Sequence, residues 1–530
     1  VSAGVPAGDL LSLVPWPTAV DRLDAPPLAV GGVRVAGDDV PVELVAELLE
    51  PVGVTVAPAG GTGAGPDGAG PDGAEPGGAE PDGASGAAGD VVLLDLRLDP
   101  DAGPAGSDSP ERYTLAVGPD GLEARAAEPV GLLHAVRTLR QLVTRPALDA
   151  GTAAVTGASP TVPAVVVRDA PRYAWRGLSF DVVRHWFGPA DVRAVVDLLG
   201  AYKLRVLHLH LTDDQGWRVE IPSRPALTER SGGTQVGGAV LAGKRGYLTV
   251  EEYRDLQAYA AARYVTIVPE VDLPGHTNAA THAYGELTPD GTPTDTYDGT
   301  EVGFSRLWAD VPATEPFLRD VLGDLARMTD GPWLHVGGDE APKVELAEYA
   351  AIMELAQRIV REAGKTPVAW QEAARAAVEP GTVLQFWDPR PDGGAAAPFE
   401  RAAAAGATFV ASPGSRAYLD MKYAPGHPLG LEWAGHVEVR DAYDWDPAGS
   451  VPGVPASAVV GVSGAVWTET LTTRDELFSM LLPRLPALAE VAWSPADARD
   501  WDGFAARLAG QAPVWRALGW AFHPSPQVPW

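Results

Sequence analysis

From Ala174 onward, short apolar runs of strand length alternate with segments of helical spacing, and this alternation restricts the fold more than any other feature of the chain. The runs that read as strands are Trp175 to Asp181, Leu204 to Leu211, Tyr264 to Glu270, Trp333 to Gly337, Thr366 to Trp370, Val383 to Trp387, Thr408 to Ser412 and Val460 to Trp467. Helices fit between most of them. Val192, Val195, Val196 and Leu199 share one helical face, and Val250, Tyr253, Leu256 and Ala260 share another behind a Thr249-x-x-Glu252 capping box. Eight such units over about 350 residues fit an α/β fold of the (β/α)8 TIM-barrel type with loop insertions. A doubly wound open sheet is disfavoured, because no glycine-rich nucleotide turn follows the first strand.

At 530 residues the chain exceeds what one core supports, so a second domain is expected. A strand at Leu28 to Val35, a helix at Val40 to Leu49 and a strand at Val91 to Leu98 precede a hairpin, in which Tyr113, Leu115 and Val117 answer Leu122, Ala124 and Ala126 across Pro119-Asp-Gly121. A helix over Gly131 to Leu142 and a strand over Pro163 to Val167 complete a small α+β domain before the barrel. The expected division is an N-terminal domain over 1–170 and a barrel with a C-terminal helical tail over 171–530. Near 57–89, Pro-Asp-Gly-Ala units recur at Pro66, Pro71 and Pro81, which reads as a disordered insertion dispensable for chemistry.

With 70 acidic against 40 basic side chains the formal charge is -30, which disfavours nucleic acid and anionic membranes as partners. The absence of cysteine excludes disulfides and thiolate chemistry. No apolar run approaches the roughly 18 residues of a membrane span. The start Val-Ser-Ala-Gly fits a processed end, so a secreted protein is expected, with the cytoplasm left open.

In a barrel the chemistry sits at the C-terminal ends of the strands. Those positions hold Asp181 and Arg184; His208, His210, Asp213 and Asp214; Glu270, Asp272 and His276; Asp339 and Glu340; Trp370 and Glu372; Trp387; Tyr418 and Asp420; Trp467 and Glu469. Carboxylates between indoles suit a sugar: acceptors for hydroxyls, flat rings for the apolar face of a pyranose and an acid for the leaving oxygen. Three alternatives stay open on these residues alone. Asp339 and Glu340 could cap the next helix, with Asp at the N-cap and Glu in the first turn. His208 and His210 alternate on one strand and, with Asp213, His276 and Asp339, could form a metal-hydrolase site; a non-catalytic sugar-binding protein is a third reading.

Four segments sharpen the choice: Arg176-Gly-Leu-Ser-Phe-Asp-Val-Val-Arg-His185, Leu207-His-Leu-His-Leu-Thr-Asp-Asp-Gln-Gly-Trp217, Pro269-Glu-Val-Asp-Leu-Pro-Gly-His276 and His335-Val-Gly-Gly-Asp-Glu340. Together with Trp370-Gln-Glu372, Trp387, Tyr418-Leu-Asp420 and Trp467-Thr-Glu469, they resemble the glycoside hydrolase family 20 β-N-acetylhexosaminidases over about residues 110 to 495. The resemblance implies exo-hydrolysis of terminal β-linked N-acetylglucosamine or N-acetylgalactosamine, with retention and the substrate's acetamido oxygen as nucleophile. It makes Glu340 the general acid and base, Asp339 the partner of the acetamido N–H, and Tyr418 the donor to its carbonyl. Asp213 and His276 would support Glu340. Trp370, Trp387 and Trp467 would box the acetamido group, and Arg184, Asp420 and Glu469 would clamp the sugar hydroxyls. No metal and no cofactor is implied, and the expected partner is an oligosaccharide carrying a terminal N-acetylhexosamine.

Overall fold

Each of the eight apolar runs forms a strand, and the strands close into one parallel barrel. They are β1 (Trp175–Asp181), β2 (Val206–His210), β3 (Thr266–Glu270), β4 (Trp333–His335), β5 (Thr366–Trp370), β6 (Val383–Phe386), β7 (Thr408–Ala411) and β8 (Val459–Val466), with β8 returning to pair with β1. The structure is a computed structural model and describes residues 11–37, 39–59, 91–144, 159–240, 245–390 and 396–530. From residue 60 onward, the insertion read near 57–89 lies outside the described residues.

Two strands start later than their apolar runs, for a shared reason. The helix Pro189–Ala201 ends with Lys203 at φ 60°, and the helix Val250–Ala261 ends with Tyr264 at φ 57°. Each left-handed residue reverses the chain, with Leu204 N–H donating to Leu199 O and Val265 N–H to Ala260 O, both at 2.9 Å. Leu204 and Tyr264 therefore belong to helix termini. The capping box is present as read: Glu252 N–H donates to the Thr249 hydroxyl at 3.1 Å, and Thr249 N–H to the Glu252 carboxylate at 2.9 Å.

A buried apolar cluster of Trp175, Val206, Val268, Val368, Val383 and Val410 draws one residue from each of six barrel strands. Towards the C-terminal ends this gives way to polar groups: the Gln385 amide donates to Ser179 Oγ and Ser412 Oγ, and Ser179 Oγ lies 2.8 Å from His208 Nδ1. The barrel thus changes from apolar to polar in the direction of the site.

By its internal packing the chain separates into two compact units, one containing Pro17–Ala170 and Gln511–Leu518, the other Val14–Trp16, Pro171–Gly510 and Gly519–Trp530. The first unit is built on a seven-stranded sheet in the order Ala19–Arg22, Val165–Asp169, Tyr113–Gly118, Gly121–Ala126, Val91–Leu98, Gly32–Ala36, Thr55–Pro58. Its hairpin pairs Tyr113 with Ala126 and Val117 with Leu122, as the alternation requires, and the helix Pro129–Leu142 packs on it. Among the described residues no helix is long and apolar enough to cross a membrane.

Candidate active site

β4 delivers the two neighbouring carboxylates. After His335 the backbone turns through Gly337 at φ 64° and Gly338 at φ 114°, and Glu340 is itself left-handed at φ 44°. A Cβ at Gly337 would lie 1.7 Å from Asp272 Oδ1, so only glycine lets the turn lie against that carboxylate. Asp272 accepts from Gly338 N–H at 3.1 Å, and the Tyr349 hydroxyl donates to Gly338 O at 2.6 Å. The left-handed backbone at Glu340 costs on the order of 1 kcal/mol and persists because these bonds fix the turn. The following helix begins only at Leu346, behind Glu345. The helix-cap reading of Asp339 and Glu340 is thereby corrected: the two glycines re-aim both side chains into the barrel mouth.

There they line a cavity of about 290 Å³ together with Arg184, His276, Trp387, Tyr418, Trp467 and Glu469. Asp213, Trp370 and Asp420 are buried and are not among its lining residues. Asp213 supports the wall from behind. Its Oδ1 lies 3.0 Å from His276 Nδ1, and its Oδ2 lies 2.7 Å from Arg184 and 2.8 Å from His210 Nε2. His276 Nε2 stands 3.4 Å from Glu340 Oε2, which completes an Asp213–His276–Glu340 chain. Burial pulls the His276 imidazole down, yet Asp213, Asp272 and Glu340 outweigh it and hold the ring well above its ordinary value. Burial likewise raises Asp213, and Arg184 and His276 overcome it and leave the carboxylate well below its usual range.

Beneath this chain lies a buried hub that the sequence did not single out. Glu270, at the end of β3, is met by His208 Nε2 at 3.0 Å, His210 Nδ1 at 2.5 Å and His335 Nδ1 at 2.9 Å, and the Trp370 indole donates to it at 2.8 Å. Both nitrogens of His208 and both of His210 are thus occupied by Ser179, Glu270 and Asp213. In the pair that suggested a metal hydrolase, the ring nitrogens are engaged by these side chains, so the two rings hold carboxylates in place. Burial lowers His335 to about 4, so that ring is neutral, whereas Glu270 and Asp213 raise His210 to about 9 against burial.

The aromatic wall is assembled from successive late strands. Trp387 and Tyr418 stack with ring centroids 6.2 Å apart, Tyr418 and Trp467 stand 6.3 Å apart, and Trp370 lies 5.9 Å from Trp467. The Arg184 guanidinium lies 5.1 Å from the Trp467 ring centre. The Trp387 indole is fixed by a 3.1 Å bond to Glu372, whose carboxyl burial pushes up to about 8. Trp433, which strand-end reasoning missed, also lines the cavity, edge-on to Trp387 at 5.5 Å and to Tyr418 at 5.3 Å. It comes from the loop after β7, and a tryptophan between Gly430 and Gly435 was the one signal in the sequence.

Several polar atoms here are buried without a hydrogen-bond partner among the described residues: Asp339 Oδ1, both carboxylate oxygens of Asp420 and Glu469 Oε2. Burial pushes Asp339 up to about 6, with His276 opposing and Glu340 reinforcing the shift. It pushes Glu469 to about 7 despite Arg184, and raises Asp420 well above the carboxylate range. Orphaned buried acceptors are costly, so a ligand rich in N–H and O–H donors fits this cavity.

The chain matches two family models: glycosyl hydrolase family 20, catalytic domain, over residues 173–354 and 344–496, and glycosyl hydrolase family 20, domain 2, over residues 11–170. It is 49% identical over 520 residues to a β-N-acetylhexosaminidase of Cellulomonas fimi, covering 98% of this chain and 97% of the relative. The GH20 β-N-acetylhexosaminidase of Streptomyces coelicolor A3(2) superposes with a TM-score of 0.84 at 40% identity, covering 99% of both chains. A mutant Streptomyces plicatus β-hexosaminidase in complex with product (GlcNAc) superposes with a TM-score of 0.84 at 41% identity, covering 100% of this chain and 99% of that one.

Proposed function

The chain belongs to glycosyl hydrolase family 20, as an enzyme of the β-N-acetylhexosaminidase kind, and from that premise we propose that it removes terminal β-linked N-acetylglucosamine or N-acetylgalactosamine with retention, through attack by the substrate's own acetamido oxygen. The observation that carries this reading is the pair Asp339 and Glu340 in one small cavity walled by Trp387, Tyr418 and Trp467. Its volume, about 290 Å³, is at the lower end of ligand pockets, which run from roughly 300 to 1,000 Å³, and suits one pyranose at a chain end.

Each residue has a role in that reaction. Glu340, with 34% of its side chain exposed at the rim, protonates the departing glycosidic oxygen and then takes a proton from water. Asp339, through its unpartnered Oδ1, accepts the acetamido N–H and balances the positive charge of the oxazolinium ion. Tyr418, whose phenol burial holds well above its ordinary value, stays protonated and donates to the acetamido carbonyl. A nucleophile tethered to the sugar reaches effective molarities of roughly 10⁵ to 10⁸ M once its rotation is frozen, and Trp387 and Trp467, backed by Trp370, supply that restraint. Arg184, Asp420 and Glu469 take the ring hydroxyls, which supports action at chain ends. His276 and Asp213 hold Glu340 in position.

An aryl β-N-acetylglucosaminide, assayed with and without chelator, tests the reading. Turnover unaffected by chelator, with the β anomer of the sugar appearing first by NMR, is expected. Loss with chelator and recovery with zinc would favour the metal hydrolase, binding without turnover would favour a lectin-like protein, and an initial α anomer would contradict retention.

A further inference from the structure

Glu340 is shared between two cavities. Beside the sugar pocket lies a second one of about 240 Å³, and Val302 and Glu340 line both. The second is bounded by Gly303 and Pro342 on the loops, by Gly338 and Tyr349 beneath, and by Glu372 and Arg375 beyond the end of β5. The acid that protonates a leaving oxygen must face the leaving group, so a cavity that shares Glu340 with the sugar pocket stands where a departing residue can sit. Its rim is apolar, with Val302 44% exposed, and Gly338 and Gly303 bring its floor close to bare backbone.

The charges in this cavity are distinctive. Arg375 is exposed and makes no ion pair or hydrogen bond to a described residue, in a chain of net charge -30. Besides Glu340, the lining holds the carboxyl of Glu372, which is tied to the Trp387 indole and which burial, reinforced by Asp339, pushes up to about 8 against the opposing charge of Arg375. The cavity therefore offers a guanidinium with no hydrogen bond or ion pair to a described residue, beside a carboxyl that burial pushes toward its neutral form. Guanidinium binds carboxylates in a charge-assisted, two-pronged manner that neutral hydroxyls do not match.

We propose that this second cavity receives the leaving residue of the substrate, and that Arg375 selects leaving residues that carry a carboxylate. The inference rests on the reading of Glu340 as general acid. It makes Arg375 a specificity residue that contributes to acidic glycosides alone.

The test compares three substrates: an aryl β-N-acetylglucosaminide, N-acetylglucosamine β-linked to a neutral sugar, and the same disaccharide with its reducing-end sugar oxidised to the acid. The parent enzyme should show the higher kcat/KM on the acidic disaccharide, with the advantage shrinking as salt rises. Arg375→Gln should reduce kcat/KM on it by about tenfold, as loss of one charge-assisted hydrogen bond does, mainly through KM. Arg375→Glu should reduce it further, and both variants should keep parent rates on the aryl and neutral substrates. Equal losses on acidic and neutral disaccharides, or a parent without preference, would overturn the role of Arg375. A parent inactive on the aryl glycoside would instead overturn the underlying activity.

Discussion

Asp339 and Glu340 are neighbours in sequence with opposite surroundings. Asp339 is 9% exposed, and burial lifts its carboxyl to about 6, while Glu340 stands at the rim within ion-pair distance of His276. In the proposed reaction the first holds charge on a bound group and the second exchanges protons with solvent and leaving group. Replacing Glu340 by Gln should reduce turnover of natural disaccharides by at least ~10², and an aryl glycoside with a good leaving group far less, because only the former needs an acid. Equal loss on both, measured by steady-state kinetics, would remove Glu340 from that role. The individual residues were legible in sequence where each stood at a strand end with its own chemistry, as Glu340, His276 and Tyr418 do. Glu270 was visible as a strand-end acid, but its function was not: its partners His208, His210, His335 and Trp370 come from three other strands, and their convergence depends on the closed barrel.

At the level of elements, the turn after β4 is the decisive piece. Its two glycines are dictated by Asp272 and by the left-handed backbone, so Gly337→Ala should combine a steric clash with strain. We expect a stability loss of roughly 1 to 3 kcal/mol and a drop in kcat on the order of 10²-fold from misplacing Glu340. Denaturation and kinetics on the same variant check both, and parent-like kcat would show that the turn does not set the carboxylate geometry. The eight strands were legible because buried parallel strands read as continuous apolar runs. Their first residues were not always so, since Lys203 and Tyr264 take up left-handed positions that glycine or asparagine would have announced. Trp433 lies in a loop that no strand period reaches.

For the whole molecule, the buried charges give stability a definite dependence on pH. Asp339, Glu469 and Glu372 have folded values raised to about 6, 7 and 8, chiefly by burial, so the fold retains protons that the unfolded chain has released. His210, raised to about 9 by Glu270 and Asp213 against burial, contributes stability that is fully present below about 6.5 and is lost as pH rises through 9. Both sets act in one direction, so thermal midpoints at a fixed scan rate should fall between pH 6 and pH 9. On the acid side the sign reverses. His335, lowered to about 4, loses its contribution as pH falls from about 6.5, and Asp213 and Glu270, held low against burial by Arg184 and His276 and by the surrounding histidines respectively, lose theirs below about 4. A midpoint rising from pH 6 to 9 would mean that these groups titrate elsewhere. In the proposed reaction the enzyme positions a nucleophile that the substrate brings. The most direct measurement is the rate of hydrolysis of aryl glycosides whose acetamido methyl carries zero, one, two or three fluorines, since each fluorine weakens the carbonyl oxygen as a nucleophile without enlarging the group greatly. A steep, monotonic fall in kcat/KM along the series is predicted, and a rate independent of fluorine content would contradict it.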